Sequence, residues 1–190
     1  MALLSMEARK KYFAELNLTY TPGNIKALQK KYMWRASDAD GIYGPDTDNL
    51  LRTLINVQRY TKNFDAREFR CECGGKYCCG YPNYMKAHEL MLIQDIRDHY
   101  GRPIIVTCGL RDPVYNKKLN GSIVNSKHLT GYAIDFYQKG VTDTLANRKK
   151  AIKWIKTRPF FTYAYGNGIN SNGYGVYAPY MGNCLHVDTK

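Results

Sequence analysis

The stretch SKHLTGYAIDFY, residues 126–137, changes character in mid-course. Its first half is polar. Gly131 then allows a backbone turn that residues with side chains resist, and AIDFY reads as a buried strand of branched and aromatic residues. The loop thus carries His128 and the strand carries Asp135, while Ala133 leaves room beside them. Near the other end, CLHVD reads as another strand, on which His186 and Asp188 share one face by period-two alternation. Two histidines and one carboxylate, here His128, Asp135 and His186, suit a catalytic zinc ion and leave a tetrahedral position open for water. The plainer alternative is a polar His128–Asp135 pair that closes a loop.

The chain has four histidines in all. His88 and His99 fall on the stripe Met85, His88, Leu92, Ile96, His99 of an expected helix, which Gly101 and Pro103 end. No acid or cysteine stands at ligand spacing from either, so both read as helix-edge or core side chains. Of six cysteines, Cys71, Cys73, Cys78 and Cys79 crowd into CECGGKYCCG. That spacing departs from the paired C-x-x-C patterns of zinc sites. Free thiols are the first reading and a structural zinc knuckle the second.

Residues 1–62 read as a small helical module. Helical stripes run through Ile25, Leu28 and Tyr32, and through Leu51, Leu54 and Ile55. Between them DADGIYGPDT supplies a tight glycine turn, with Pro45 in the first turn of the next helix and Asp46 or Thr47 as its cap. The polar, glycine-rich TKNFDAREFRCECGG marks a boundary, and residues 63–190 read as a second domain. There PIIVTCGL, GYAIDFY, GYGVYAP and CLHVDTK are expected strands, with LANRKKAIKWIKTR an expected helix. The expected class is α+β: a largely antiparallel sheet flanked by helices, preceded by the helical module.

These motifs carry two resemblances. IKALQKKY and DADGIYGPDTDNLL, with Asp40, Gly41, Gly44 and Thr47 in place, resemble the peptidoglycan-binding domain found at one end of many wall hydrolases. Residues 64–190 resemble the zinc D-alanyl-D-alanine peptidase family, through NFDAREFRCECGG, IRDHYGRPIIVTCGLRDPVYN, NSKHLTGYAIDF and LHVD. That family includes VanY-type carboxypeptidases and many phage endolysins. It shares its fold with lysostaphin and the amino-terminal domain of sonic hedgehog. The resemblance implies that His128, Asp135 and His186 bind Zn²⁺, that Arg111 contacts substrate, and that Ser126 helps to position it. Cys108-Gly109 stands where the family turn usually has Ser-Gly, and Asn120-Gly121 where a loop often has Gly-Gly. Asn183 occupies a position, three before the last histidine, where many members carry an acid as general base. Other members end in His-x-Asp, which makes Asp188 the expected base; its alternative role is to orient His186.

The 28 Lys and Arg against 16 Asp and Glu leave a formal charge of +12, which favours a polyanionic partner. The resemblance names peptidoglycan, in an anionic wall. No apolar run is long enough for membrane insertion, and MALLSMEARKKYF lacks the order of a secretory signal. The expectation is a protein made in the cytoplasm that acts on the wall after release, as a phage endolysin does. One rival is a non-catalytic zinc module of the same fold, which Asn183 favours. Another is a basic nucleic-acid-binding protein, for which the cysteine cluster and 17 tyrosines would speak. Nucleic acid is not the expected partner, because that reading leaves residues 126–135 and His186 unexplained.

Overall fold

The computed structural model describes residues 2–190. Three helices come first: α1 (Met6–Glu15), α2 (Pro22–Tyr32) and α3 (Pro45–Tyr60). After them come α4 (Ala87–Tyr100), β1 (Ile105–Cys108), the single turn α5 (Pro113–Asn116) and β2 (Ala133–Tyr137). The chain closes with α6 (Leu145–Ile155), β3 (Phe161–Gly166), β4 (Ile169–Asn170) and β5 (Leu185–Thr189). The strands form one sheet in the order β1-β2-β5-β3-β4, with every pairing antiparallel. The class is the expected α+β.

Local chemistry accounts for most element ends. Thr21 caps α2 by accepting from the Asn24 amide, with Pro22 in the first turn. Gly101, at φ 61°, ends α4 in the left-handed region that glycine tolerates. At α3 the cap differs from expectation. Gly44 is the N-cap and has no side chain to bond with, while the Thr47 hydroxyl accepts from buried Gln29. Gln29 also donates to Asp40 and accepts from the Gly41 amide, so one amide side chain organises the whole glycine turn. α1 was not legible as a helix: it buries only Phe13, so its sequence carries no apolar stripe.

GYGVYAP does not form a strand. Residues 173–177 run as turn and coil, with Asn170 Oδ1 accepting from the amides of Asn172 and Tyr174. Tyr174 and Tyr177 are 70% and 91% exposed, and only Val176 and Ala178 turn inward, too short an apolar face to hold the segment in a sheet. The place beside β5 is taken by β3, whose FTYAYG puts buried Ala164 between Tyr163 and Tyr165.

One continuous apolar cluster joins Leu50, Leu54 and Ile55 of α3 to Ile93 and Ile96 of α4 and to the sheet. The sheet contributes Ile134 and Phe136 from β2 and Leu185 and Val187 from β5. Each such side chain contributes roughly 1.5–3 kcal/mol by leaving water. Alternation along β2 and β5 therefore commits the residues between them to the opposite face. Those residues are Asp135, His186 and Asp188.

Candidate metal centre

Strand register assembles the site. Cys108 pairs with Asp135, Asp135 with His186, and His186 with Tyr165. These four residues form a row across β1, β2, β5 and β3. A register shift between Val106 and Cys108 brings Cys108, rather than Thr107, opposite Asp135. The row floors a cleft of about 610 Å³, which Ser126, Arg111, His128 and Asp188 also line.

His128 arrives from a different direction. The turn Lys127–Leu129 presents it, and Gly131 at φ +76° carries the chain from that turn into β2. A Cβ on Gly131 would overlap the Tyr84 carbonyl, so only glycine fits the close approach. His128 Nδ1 lies 2.7 Å from the Gly109 carbonyl oxygen. A carbonyl can only accept, so Nδ1 carries the proton and Nε2 offers its lone pair. Nε2 faces Asp135 Oδ2 at 3.3 Å. Asp135 Oδ1 is 2.7 Å from His186 Nδ1, and His186 Nε2 is 3.5 Å from Asp188 Oδ2. The rings of His128 and His186 lie 5.1 Å apart, centroid to centroid.

Every expected site residue reaches this cleft. Arg111 is buried and heavily engaged: it donates to Asn116 Oδ1 and Cys108 Sγ, and stands 3.6 Å from Asp135 Oδ2. Its Nε is buried with no partner among the described residues. Ser126 begins the turn that presents His128 and faces the cleft. Asp188 has one carboxylate oxygen, Oδ1, buried without a partner among the described residues. Asn183 is exposed and does not line the cleft, whereas Asp188 does. His88 and His99 lie outside the cleft. His88 stacks on Phe160 and meets the Lys190 carbonyl, and His99 stacks on Trp154.

Two residues of the row escaped the sequence reading. Cys108 Sγ lies with ligand atoms of His128 and Asp135 in a group whose members are all within 4.8 Å of one another. A thiol in place of the usual serine was the available signal. Tyr165, with its ring 4.8 Å from that of His186, had none, since it is one of 17 tyrosines without a motif around it.

The donor set suits a metal cation. An imidazole nitrogen, a carboxylate and a thiol converge, and burial leaves them little contact with water. Burial pushes the Asp135 carboxyl up, but His128 and His186 beside it hold it well below the usual carboxylate range. Burial pushes His128 down, and the negative groups Cys108 and Asp135 outweigh that, so that without a metal they favour a proton on Nε2, which a bound cation would displace. The attraction for a cation is therefore built into the site.

The protein-family model described as Peptidase M15 matches residues 62–169. The match takes in Arg111, Ser126, His128 and Asp135 and ends before β5. No curated protein matches the chain.

Proposed function

The chain belongs to the peptidase M15 family, and from that premise we propose that it is a zinc-dependent peptidase acting on the peptide part of peptidoglycan, in the manner of a phage endolysin. The observation that carries this reading is one open cleft lined by His128, Asp135 and His186, with each histidine against Asp135 and Asp188 against the far nitrogen of His186.

His128, Asp135 and His186 would hold the zinc. When bound, zinc supplies Lewis acidity that polarises a carbonyl and makes water nucleophilic near neutral pH. The Gly109 carbonyl fixes the His128 tautomer and keeps Nε2 free to ligate. Asp188, on the cleft wall with Oδ2 3.5 Å from His186 Nε2, would accept a proton from water and pass it to the leaving amine. Arg111 lines the cleft and would offer its guanidinium to a substrate carboxylate or an oxyanion. Ser126 lies on the cleft wall beside His128 and offers a hydroxyl to the peptide backbone. Residues 1–62 would hold the enzyme on the polymer and so raise the local substrate concentration.

Purified peptidoglycan incubated with the protein, followed by amino-group release and mass spectrometry of the fragments, tests this reading. New amino groups are expected, abolished by a chelator and restored by zinc. His128→Ala should fold and release none. No release from the wild type at any metal load would leave a non-catalytic module instead.

A further inference from the structure

We propose that Cys71, Cys73 and Cys78 form a second metal site, a thiolate site for Zn²⁺ that is separate from the cleft and fastens one of its walls. The three sulfurs all lie within 4.8 Å of one another, and Cys73 Sγ and Cys78 Sγ are 3.5 Å apart. All the cysteines are free, and 3.5 Å is a non-bonded separation. A Cys73–Cys78 disulfide would leave Cys71 over, whereas a metal uses all three.

The loop is wound to bring the sulfurs together. Residues 71–80 contain neither helix nor strand. The bond from the Cys71 amide to the Gly80 carbonyl, at 2.7 Å, closes the base of the loop. Gly74 and Gly75, at φ +62° and +84°, turn the chain back within it. A Cβ on Gly75 would come within 2.9 Å of Arg35 Cγ, so the reversal is also tightly packed. A ten-residue loop with so little backbone pairing is an arrangement that a metal holds in many small folds.

The fourth cysteine behaves differently. Cys79 is buried and its sulfur accepts from the Tyr81 amide, so it acts as a core residue. Three protein thiolates remain, with one tetrahedral position for a solvent molecule. The Asp112 amide points at Cys71 Sγ from 3.3 Å, a donor that suits an anionic sulfur. The thiols would bind as thiolates, with their protons released to solvent.

The location gives the site a purpose. Cys71 and Cys79 carbonyls accept from the indole and amide of Trp34, just beyond α2. Asp112, bonded to Cys71, follows Arg111 in sequence, and Glu72 lines the cleft. A metal here would tie the helical segment, the loop and the Arg111 turn to one point.

Zinc content and cobalt spectra of the full-length protein test the proposal. The wild type should hold one equivalent of zinc more than Cys73→Ser or Cys78→Ser. A His128→Ala/Cys108→Ser variant, which disables the cleft centre, should keep its thiolate-bound metal. Its cobalt form should show sulfur-to-cobalt charge transfer, which Cys78→Ser removes. Equal zinc in wild type and cysteine variants would overturn the proposal. So would a native mass short by two hydrogens with no second metal. Should the serine variants fail to fold, the cobalt spectrum of His128→Ala/Cys108→Ser decides alone, and absence of the thiolate band overturns the site.

Discussion

Among single residues, His186 stands between two carboxylates. Nδ1 looks toward Asp135 and Nε2 toward Asp188. Asp188→Asn keeps the shape and removes the proposed proton acceptor. Its kcat should fall by about 10²–10⁴, with zinc content unchanged. A variant that instead loses zinc would assign Asp188 to orienting His186. Cys108 raises a different question, because its sulfur also faces His128 and Asp135. If His186 is the third ligand, His186→Ala should lose cleft-bound zinc and activity, while Cys108→Ser keeps both to within about tenfold. Zinc titration of the two variants checks this, and the reverse pattern would move the ligand to Cys108.

Elements carry the next level of control. His186 and Asp135 meet because β2 and β5 pair in one register; a slip by a single residue would turn both into the apolar cluster. Behind the sheet, α4 buries Glu89 completely, with neither carboxyl oxygen partnered among the described residues. Burial pushes this carboxyl well above its ordinary value of 4.5. The folded state therefore holds the proton more tightly than the unfolded chain. The stability this gives is fully present below pH 4.5 and is lost as pH rises through the elevated value. Glu89→Gln should melt about 3 °C or more above the wild type at pH 8, with the gap closing by pH 4. Melting curves across that range check it. An equal gap at both ends would mean that packing, not ionisation, sets the difference.

For the whole molecule, the packing between the two expected domains is close. Asn49 donates to the Tyr81 carbonyl, Asn56 to the Met85 carbonyl, and the Met85 amide donates to Thr53. The apolar cluster crosses the same line. Residues 63–190 alone should therefore expose the α3-facing side of α4 and unfold or aggregate at temperatures the full chain withstands. Circular dichroism and light scattering of the truncated chain test this, and a stable monomer would show the second domain to be independent. The +12 charge acts over longer range. Adhesion to purified wall should weaken steadily as salt rises past 0.1 M, where the screening length falls to about 10 Å. Salt-insensitive retention would assign binding to uncharged contacts in residues 1–62.

Much of this was legible along the chain because it depends on neighbours in sequence. Period-two alternation marked AIDFY and LHVD, and the positions of Gly131 and Gly101 followed from backbone sterics. His128, Asp135, His186 and Asp188 all had local signals. The coil at GYGVYAP was misread as a strand, and α1 gave no stripe of its own, because local patterns do not record what a segment packs against. Long-range register alone could decide that Asp135 sits between Cys108 and His186, or that Tyr165 joins them. The same holds for the cysteine loop, where folding of residues 71–80 sends three sulfurs together and the fourth into the core. Side-chain type and short-range periodicity are properties of the chain itself. Which side chains meet across strands is set by tertiary packing, where a shift of one residue exchanges the site for the core.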